Sequence, residues 1–233
     1  PDKTMIPQPS LEQLRFNMIE QQIRPWDVLD PEILELLSVL RREEFVPPAH
    51  RGLAFVDMEI PLRGTPEEAQ RLGQIMLAPK VEARLVHDLK LQPHEKVLEV
   101  GAGSGYMAAL LAGRAQRVIS LEIEPELVKM ARANLQRAGV RNAEVRQADG
   151  AQGLAAEGPF DAIVLSGSVA EVPDALLKQL KTGGRLATIV GEEPVMRANF
   201  ITRTGETHYT TAQPWDTVAP RLLNFPQRSR FQF

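Results

Sequence analysis

Apolar residues recur at helical spacing near the start of the chain, with Leu11, Leu14, Met18 and Ile19 on one face. The pattern repeats after Asp30-Pro31, a cap and first-turn pair, through Ile33, Leu34, Leu37 and Leu40. Pro47-Pro48 ends this helical layer. A short extended stretch is expected over residues 55–62, a turn at Gly64-Thr65-Pro66, and a helix from Pro79 to Leu89 carrying Val81, Leu85 and Val86. From Lys96 the period changes. Strand-like runs at 96–100, 117–122, 143–147, 160–166 and 185–190 alternate with helical runs at 106–113, 125–138 and 172–180. Such βαβ alternation predicts a doubly wound α/β fold with a mostly parallel sheet, here of seven strands. After Gly191 the rhythm breaks: residues 199–203 and 207–212, separated by Thr204-Gly205-Glu206, predict an antiparallel hairpin. The chain therefore divides into a helical N-terminal extension, 1–91, and a core, 92–233.

Composition narrows the function classes. With 233 residues, 43% of them hydrophobic, the chain can bury a sizeable core. A net charge of -3 gives no global reason to expect nucleic acid or an anionic membrane as partner. The absence of cysteine removes disulfides, thiolate nucleophiles and cysteine-based metal sites. His50, His87, His94 and His208 lack the spacing of a metal-binding helix, so no metal is expected. No apolar run approaches the ~20 residues of a membrane span, and the first residues lack the apolar core of a signal peptide, so the expected location is the cytoplasm. Nothing in the sequence reports the oligomeric state.

The sharpest local signal is Val97-Leu98-Glu99-Val100-Gly101-Ala102-Gly103-Ser104-Gly105-Tyr106, an apolar strand running through a glycine-rich turn into a helix. In the first βα unit of a doubly wound sheet this turn lies at the carboxyl ends of the strands, where ligands of this architecture bind. Glu122 ends the second strand, where its carboxylate can accept hydrogen bonds from a ribose diol, and the ligand is accordingly a nucleoside derivative. Glu99 stands just before the glycines, where a dinucleotide's pyrophosphate would meet a like charge at a cost of ~4 kcal/mol for unit charges ~4 Å apart at an effective dielectric near 20. S-adenosylmethionine reverses that sign, because it carries a sulfonium and an α-ammonium and no phosphate. The spacing Gly101-x-Gly103-x-Gly105 also departs from the dinucleotide pattern, and together these features favour S-adenosylmethionine over NAD. Asp149, in Ala148-Asp149-Gly150 after the third strand, is placed either to accept from the adenine amino group or simply to cap the following turn. Asp161 opens the fourth strand at its amino end and reads as structural.

These motifs resemble the class I methyltransferases and, more narrowly, the protein-L-isoaspartate (D-aspartate) O-methyltransferase family. Residues 17–23, 42–47, Phe55-Val56-Asp57 and Ile60-Pro61-Leu62 are similar to that family's N-terminal helices and its approach to the active site. Residues 101–106 resemble its cofactor loop, Ala148-Asp149-Gly150 its Gly-Asp-Gly, and residues 179–186 its Gln-Leu-Lys-x-Gly-Gly-Arg-Leu. The resemblance implies S-adenosyl-L-methionine as cofactor, bound by Glu99, Gly101, Ala102, Gly103, Ser104, Glu122, Ile123, Asp149 and Gly150. It also implies methyl transfer to the carboxyl of L-isoaspartyl or D-aspartyl residues in damaged proteins, with Asp57, Met76, Leu77 and Ser168 as substrate-side candidates.

The departure lies at Gln74-Ile75-Met76-Leu77-Ala78-Pro79, where the family typically reads Gln-Thr-Ile-Ser-Gln-Pro. Leucine at 77 cannot supply the hydrogen bond that a serine would, a loss of ~1.5–3 kcal/mol unless a neighbour such as Ser168 substitutes. Three readings follow: reduced isoaspartyl methylation, methylation of another acceptor, or a non-catalytic S-adenosylmethionine-binding module using Trp215 and the tail 228–233 as a contact surface.

Overall fold

The structure, a computed structural model, describes residues 6–228. Helix α1 (Leu11–Met18) starts at Ser10, whose side chain accepts from Gln13 N, and runs on through a π-helical turn at Ile19–Ile23. Helix α2 (Pro31–Val39) is capped by Asp30, as its sequence predicts. The stretch expected to be extended over 55–62 is mostly turns closed by local bonds such as Met58 N to Val56 O. Only β1 (Ile60–Pro61) pairs, antiparallel to β2 (Ile75–Met76). Between them Thr65 does more than turn the chain. Its hydroxyl accepts from Glu68 N while the Glu68 carboxylate accepts from Thr65 N, a capping box that launches α3 (Pro66–Leu72).

Helix α4 (Pro79–Leu89) leads into the main sheet: β3 (Lys96–Val100), α5 (Tyr106–Ala112), β4 (Arg117–Glu122), α6 (Pro125–Arg137), β5 (Ala143–Gln147), β6 (Phe160–Val169), α7 (Asp174–Leu177) and β7 (Leu180–Glu192). Then follow β8 (Val195–Arg203), β9 (Tyr209–Ala212) and β10 (Asp216–Thr217). The strand order is β10-β8-β7-β6-β3-β4-β5, with β9 also on β8. Five parallel strands, β3 to β7, are thus extended by an antiparallel flap, and the two-residue β10 brings the sheet to eight strands. Helix α7 is shorter than the predicted 172–180. Phe160 N donates to Gln179 O and Leu180 pairs with Phe160, so β7 claims the last residue of that run.

Alternation along the strands assigns two faces. Val97, Val118 and Ala162 pack in one continuous cluster with Met18, Ile23, Leu37 and Leu85, so the N-terminal helices share their core with the sheet. The opposite face, with Leu98, Ile119, Ile163 and Leu186, is covered by α7, 3-10 turns and Phe225. Among the described residues no helix is long and apolar enough to cross a membrane. Trp215, proposed above as an exposed contact, is instead buried edge-on against Trp26, with Arg84 5.2 Å from its ring centre and its Nε1 donating to Asp88. Residues 229–233 of the proposed contact tail lie outside the described residues.

Candidate cofactor and acceptor site

The turn after β3 is built from backbone. The amides of Gly101 and Ala102 both donate to Leu121 O, which ties the end of β3 to the end of β4. Gly101 has φ +95°, and a Cβ there would lie 3.1 Å from Leu222 Cδ2. At Gly105, φ +87°, a Cβ would stand 3.1–3.3 Å from three atoms of Ala131. Glycine is what lets α5 start against α6.

Four carboxylates surround this turn in different states. Glu122, at the end of β4, is buried; its Oε1 accepts from Gly103 N (2.9 Å) and its Oε2 from Glu124 N (3.0 Å). A carboxylate offers about four acceptor positions, so lone pairs remain for a ligand diol. Burial raises the Glu122 pKa, and the amides work against that shift. Asp149 is exposed. Oδ1 caps Ala151 N at 3.0 Å, and Oδ2 accepts from Asn224 Nδ2 at 2.9 Å, at the rim of a cavity.

Glu99 is fully buried in β3. Its two oxygens accept from Ser120 Oγ (2.6 Å) and Ser166 Oγ (2.5 Å), and it lines neither cavity described below, standing one layer behind the surface that a ligand would touch. Burial pushes its pKa up to about 8; the serine hydroxyls oppose this, and the carboxylates of Glu82 and Glu122 add to it. The fourth acid, Glu82 in the first turn of α4, is 4% exposed and bonded to Arg42, which is wholly buried. Arg42 also donates to Ala54 O and Leu77 O and stacks 4.8 Å from the centre of the Tyr106 ring.

Two adjoining cavities meet at the glycine turn. The larger, about 220 Å³, is bordered by Gly101, Gly103, Glu122, Ile123, Asp149 and Gly150. Its far wall is the end of α3, at Gly73 and Gln74, together with the segment 221–225. That segment is strapped down: Leu222 N donates to Ser168 O, Arg221 Nη2 to Gly191 O, and Asn224 holds Asp149. The smaller cavity, about 20 Å³, is bordered by Ala102, Ser104, Met76, Leu77, Glu82 and Met107, and it shares Gly101, Gly103, Ile75 and Ser166 with the larger.

Of the residues singled out by sequence, all the cofactor candidates but Glu99 line one cavity or the other, and Met76 and Leu77 line the smaller. Asp57 lies apart, exposed and paired with Lys80 Nζ at 3.1 Å. Ser168 is fully buried and lines neither cavity. Its hydroxyl donates to Ala219 O at 2.7 Å, so it does not stand in for a serine at 77. Sequence reasoning passed over Ser166, Gln74, the Arg42–Glu82 pair and the segment 221–225. For Glu82 a signal was present, since a carboxylate interrupts the apolar repeat of Val81, Leu85 and Val86.

The raised pKa of Glu99 gives a test of this burial. Between pH 4.5, the ordinary value, and about 8 the folded chain holds a proton that the unfolded chain has released. Stability therefore falls as pH rises through that window and levels off above it. Glu99→Gln is expected to flatten this slope. In urea titrations its stability relative to wild type should improve from pH 5 to pH 8.5 by at least ~1.4 kcal/mol, the equivalent of a tenfold difference in proton affinity between the folded and unfolded chains. Parallel slopes for the two proteins would refute the assignment.

The five parallel strands, the glycine turn at their carboxyl ends and the acid closing β4 define a Rossmann-like methyltransferase architecture. Two solved structures share the fold: a protein-L-isoaspartate O-methyltransferase (TM-score 0.74, 23% identity, 91% of this chain and 65% of that one), and a candidate enzyme of the same description from Plasmodium falciparum, solved with S-adenosyl-L-homocysteine (TM-score 0.72, 20% identity, 92% and 99%). In sequence, residues 13–217 match the family "Protein-L-isoaspartate(D-aspartate) O-methyltransferase (PCMT)". Similar proteins named protein-L-isoaspartate O-methyltransferase occur in Koribacter versatilis (36% identity, 81% of each chain) and Methanoculleus marisnigri (40%, 76% of this chain and 77% of that one). The Marinobacter nauticus protein named protein-L-isoaspartate O-methyltransferase 2 is 37% identical over 91% of this chain and 94% of its own. The chain belongs to the protein-L-isoaspartate(D-aspartate) O-methyltransferase family.

Proposed function

We propose that this chain is an S-adenosylmethionine-dependent O-methyltransferase acting on the carboxyl of isoaspartyl or D-aspartyl residues in damaged proteins, in the cytoplasm. The observation that carries the reading is Glu122, a buried carboxylate facing a cavity at the strand ends with acceptor positions to spare, in a chain of this family. When bound, S-adenosylmethionine supplies an electrophilic methyl group to a carboxylate oxygen, leaving a methyl ester and S-adenosylhomocysteine. The chain's own residues do the rest.

Glu122 would hold the ribose diol, and Asp149 the adenine amino group, with Ile123 and Gly150 flanking the base. The cavity's 220 Å³ is below the ~300 Å³ at which small-molecule pockets begin, and Asn224 donates to the Asp149 oxygen at its rim, so the nucleoside would compete with Asn224 there. Glu99 lines neither cavity and, protonated below about pH 8, would brace the strand ends behind the turn through Ser120 and Ser166. Met76 and Leu77 would form the acceptor wall, and residues 1–91 would supply the substrate side of the molecule. An acceptor carboxyl with a pKa near ~4 is ionised at neutral pH, so no general base is needed. The work of the site is alignment, which supplies ~7–11 kcal/mol where approach is well oriented.

Two measurements test this. Calorimetric titration should show S-adenosylmethionine binding, and labelled methyl should pass to an isoaspartyl peptide and not to its aspartyl twin. Because Leu77 offers no side-chain donor, Leu77→Ser is expected to raise activity on the isoaspartyl peptide roughly ten- to hundredfold. A variant no more active than wild type would count against this account of the acceptor wall.

A further inference from the structure

We propose that the open edge of β5 is a pairing surface for a second copy of this chain, and that Arg132 keeps it shut. Strand β5 ends the sheet, with β4 as its neighbour. Its backbone alternates. Val118 N donates to Asn142 O and Ala148 N to Glu122 O, so the even-numbered residues face β4, while Ala143, Val145 and Gln147 turn their N–H and C=O groups outward. An outward row of this kind invites another strand. The opposite margin of the sheet is broken up, since β8 carries the two-residue β10 and the four-residue β9. Strand β5 has no glycine, proline or register shift, and its guard is a side chain. Arg132 of α6 donates to Val145 O from both Nε (3.0 Å) and Nη2 (2.8 Å), in the middle of the outward row.

The strand's own sequence identifies the partner. Ala143-Glu144-Val145-Arg146-Gln147 is its own complement about Val145. In an antiparallel pair with a two-fold axis at Val145, the two copies of Val145 exchange both their backbone bonds, Ala143 does the same with the other copy's Gln147, and Glu144 stands opposite Arg146. Opposite charges directly across such a pair attract, and the symmetry supplies the contact twice. A parallel, in-register partner would set Glu144 against Glu144 instead. Within one chain Arg146 already bonds Glu144 from Nε (2.9 Å) and Nη2 (3.1 Å), and both side chains stay partly exposed, so a second copy closes a ring of charges without stranding one. On the other face an open groove of about 560 Å³, bordered by Arg132, Gln136, Gly139, Ala143 and Val145, leaves room for the partner's α6 side chains. Arg132 opposes this arrangement in two ways. It occupies the carbonyl at the axis, and its charge would meet that of the second Arg132 close to the same axis.

Sedimentation velocity over a rising concentration series tests this, whatever the chain methylates. Wild type is expected to stay monomeric, and Arg132→Ala to dimerise with an association constant at least about tenfold above that of wild type. Adding Ala143→Pro deletes an outward N–H at the first position of the strand, where proline is tolerated, and leaves the ladder to β4 whole. The double variant should return to monomer. The register has its own readout, because the chain contains no cysteine. In the Arg132→Ala background, Glu144→Cys and Arg146→Cys proteins mixed under oxidising conditions should cross-link to each other faster than either does to itself, since only the mixed pair faces directly across the axis. Equal association of wild type and Arg132→Ala, or none by either, would overturn the proposal. So would association that survives Ala143→Pro, which would place the contact on another surface, or cross-linking without the mixed preference.

Discussion

Glu122→Ala is expected to bind S-adenosylmethionine at least about a hundredfold more weakly than wild type. The carboxylate is the one acid that both faces the larger cavity and is held rigid by two amides, from Gly103 and Glu124. Removing it deletes the charged acceptor to which a ribose diol would donate two hydrogen bonds, each worth ~1.5–3 kcal/mol, and also loosens the glycine turn. Because the ribose is common to them, S-adenosylhomocysteine and 5′-methylthioadenosine should weaken together with S-adenosylmethionine. Calorimetric affinities for Glu122→Ala within tenfold of wild type would sink the placement of the ribose.

The second large effect is on stability. Arg42→Met is expected to lower the free energy of unfolding by about 3–5 kcal/mol, the usual cost of stranding one half of a buried ion pair. Arg42 is wholly buried and makes three bonds, to Ala54 O, Leu77 O and Glu82, besides its stacking on Tyr106. Without the guanidinium, two carbonyls lose their donor and the Glu82 carboxyl, its pKa already raised by burial, loses the cation that opposes that rise. In thermal melts the loss corresponds to roughly 10 °C for a chain of this size. Combining it with Glu82→Leu removes the stranded acid as well and should recover a good part of the stability. A urea midpoint for Arg42→Met indistinguishable from wild type would show that the pair is not what holds α4 to the N-terminal layer.

The two variants also separate what the family shares from what this chain has altered. Family membership fixes the scaffold, and Glu122 and Asp149 stand at the ends of consecutive strands beside the larger cavity, the proposed nucleoside end. At the smaller cavity, the proposed acceptor end, Leu77 stands where the resemblance implies a serine, and the structure offers Leu and Met side chains around a single carboxylate. Ser168 is no substitute, because its hydroxyl is spent on Ala219 O, which belongs to the strand-like run holding down the segment 221–225. Ser166, two residues earlier on β6, borders both cavities, but its hydroxyl supports Glu99.

Much of this molecule was legible along the chain. The alternation from Lys96 onward located β3 and β4 at their observed bounds because a strand buried on both faces reads as an apolar run whatever lies beside it, and the spacing of the βαβ units placed β5, an edge strand with only Val145 buried, at its bounds as well. Local rules likewise settled the Asp30 cap, the start of α4 at Pro79 and the glycine turn before α5, since each is decided by bonds within a few residues. Glu122 and Asp149 could be assigned to one crevice because in a parallel sheet successive strand ends fall on the same edge. Tertiary structure alone decided the rest. Leu180 left its predicted helix because Phe160 offered a strand partner, and Glu99 lines neither cavity because two serines from neighbouring strands hold it behind the turn. Pairings between residues tens of positions apart, such as Arg42 with Glu82 and Asn224 with Asp149, carry no periodic trace, because the bonds that make them form only once distant segments have been packed together.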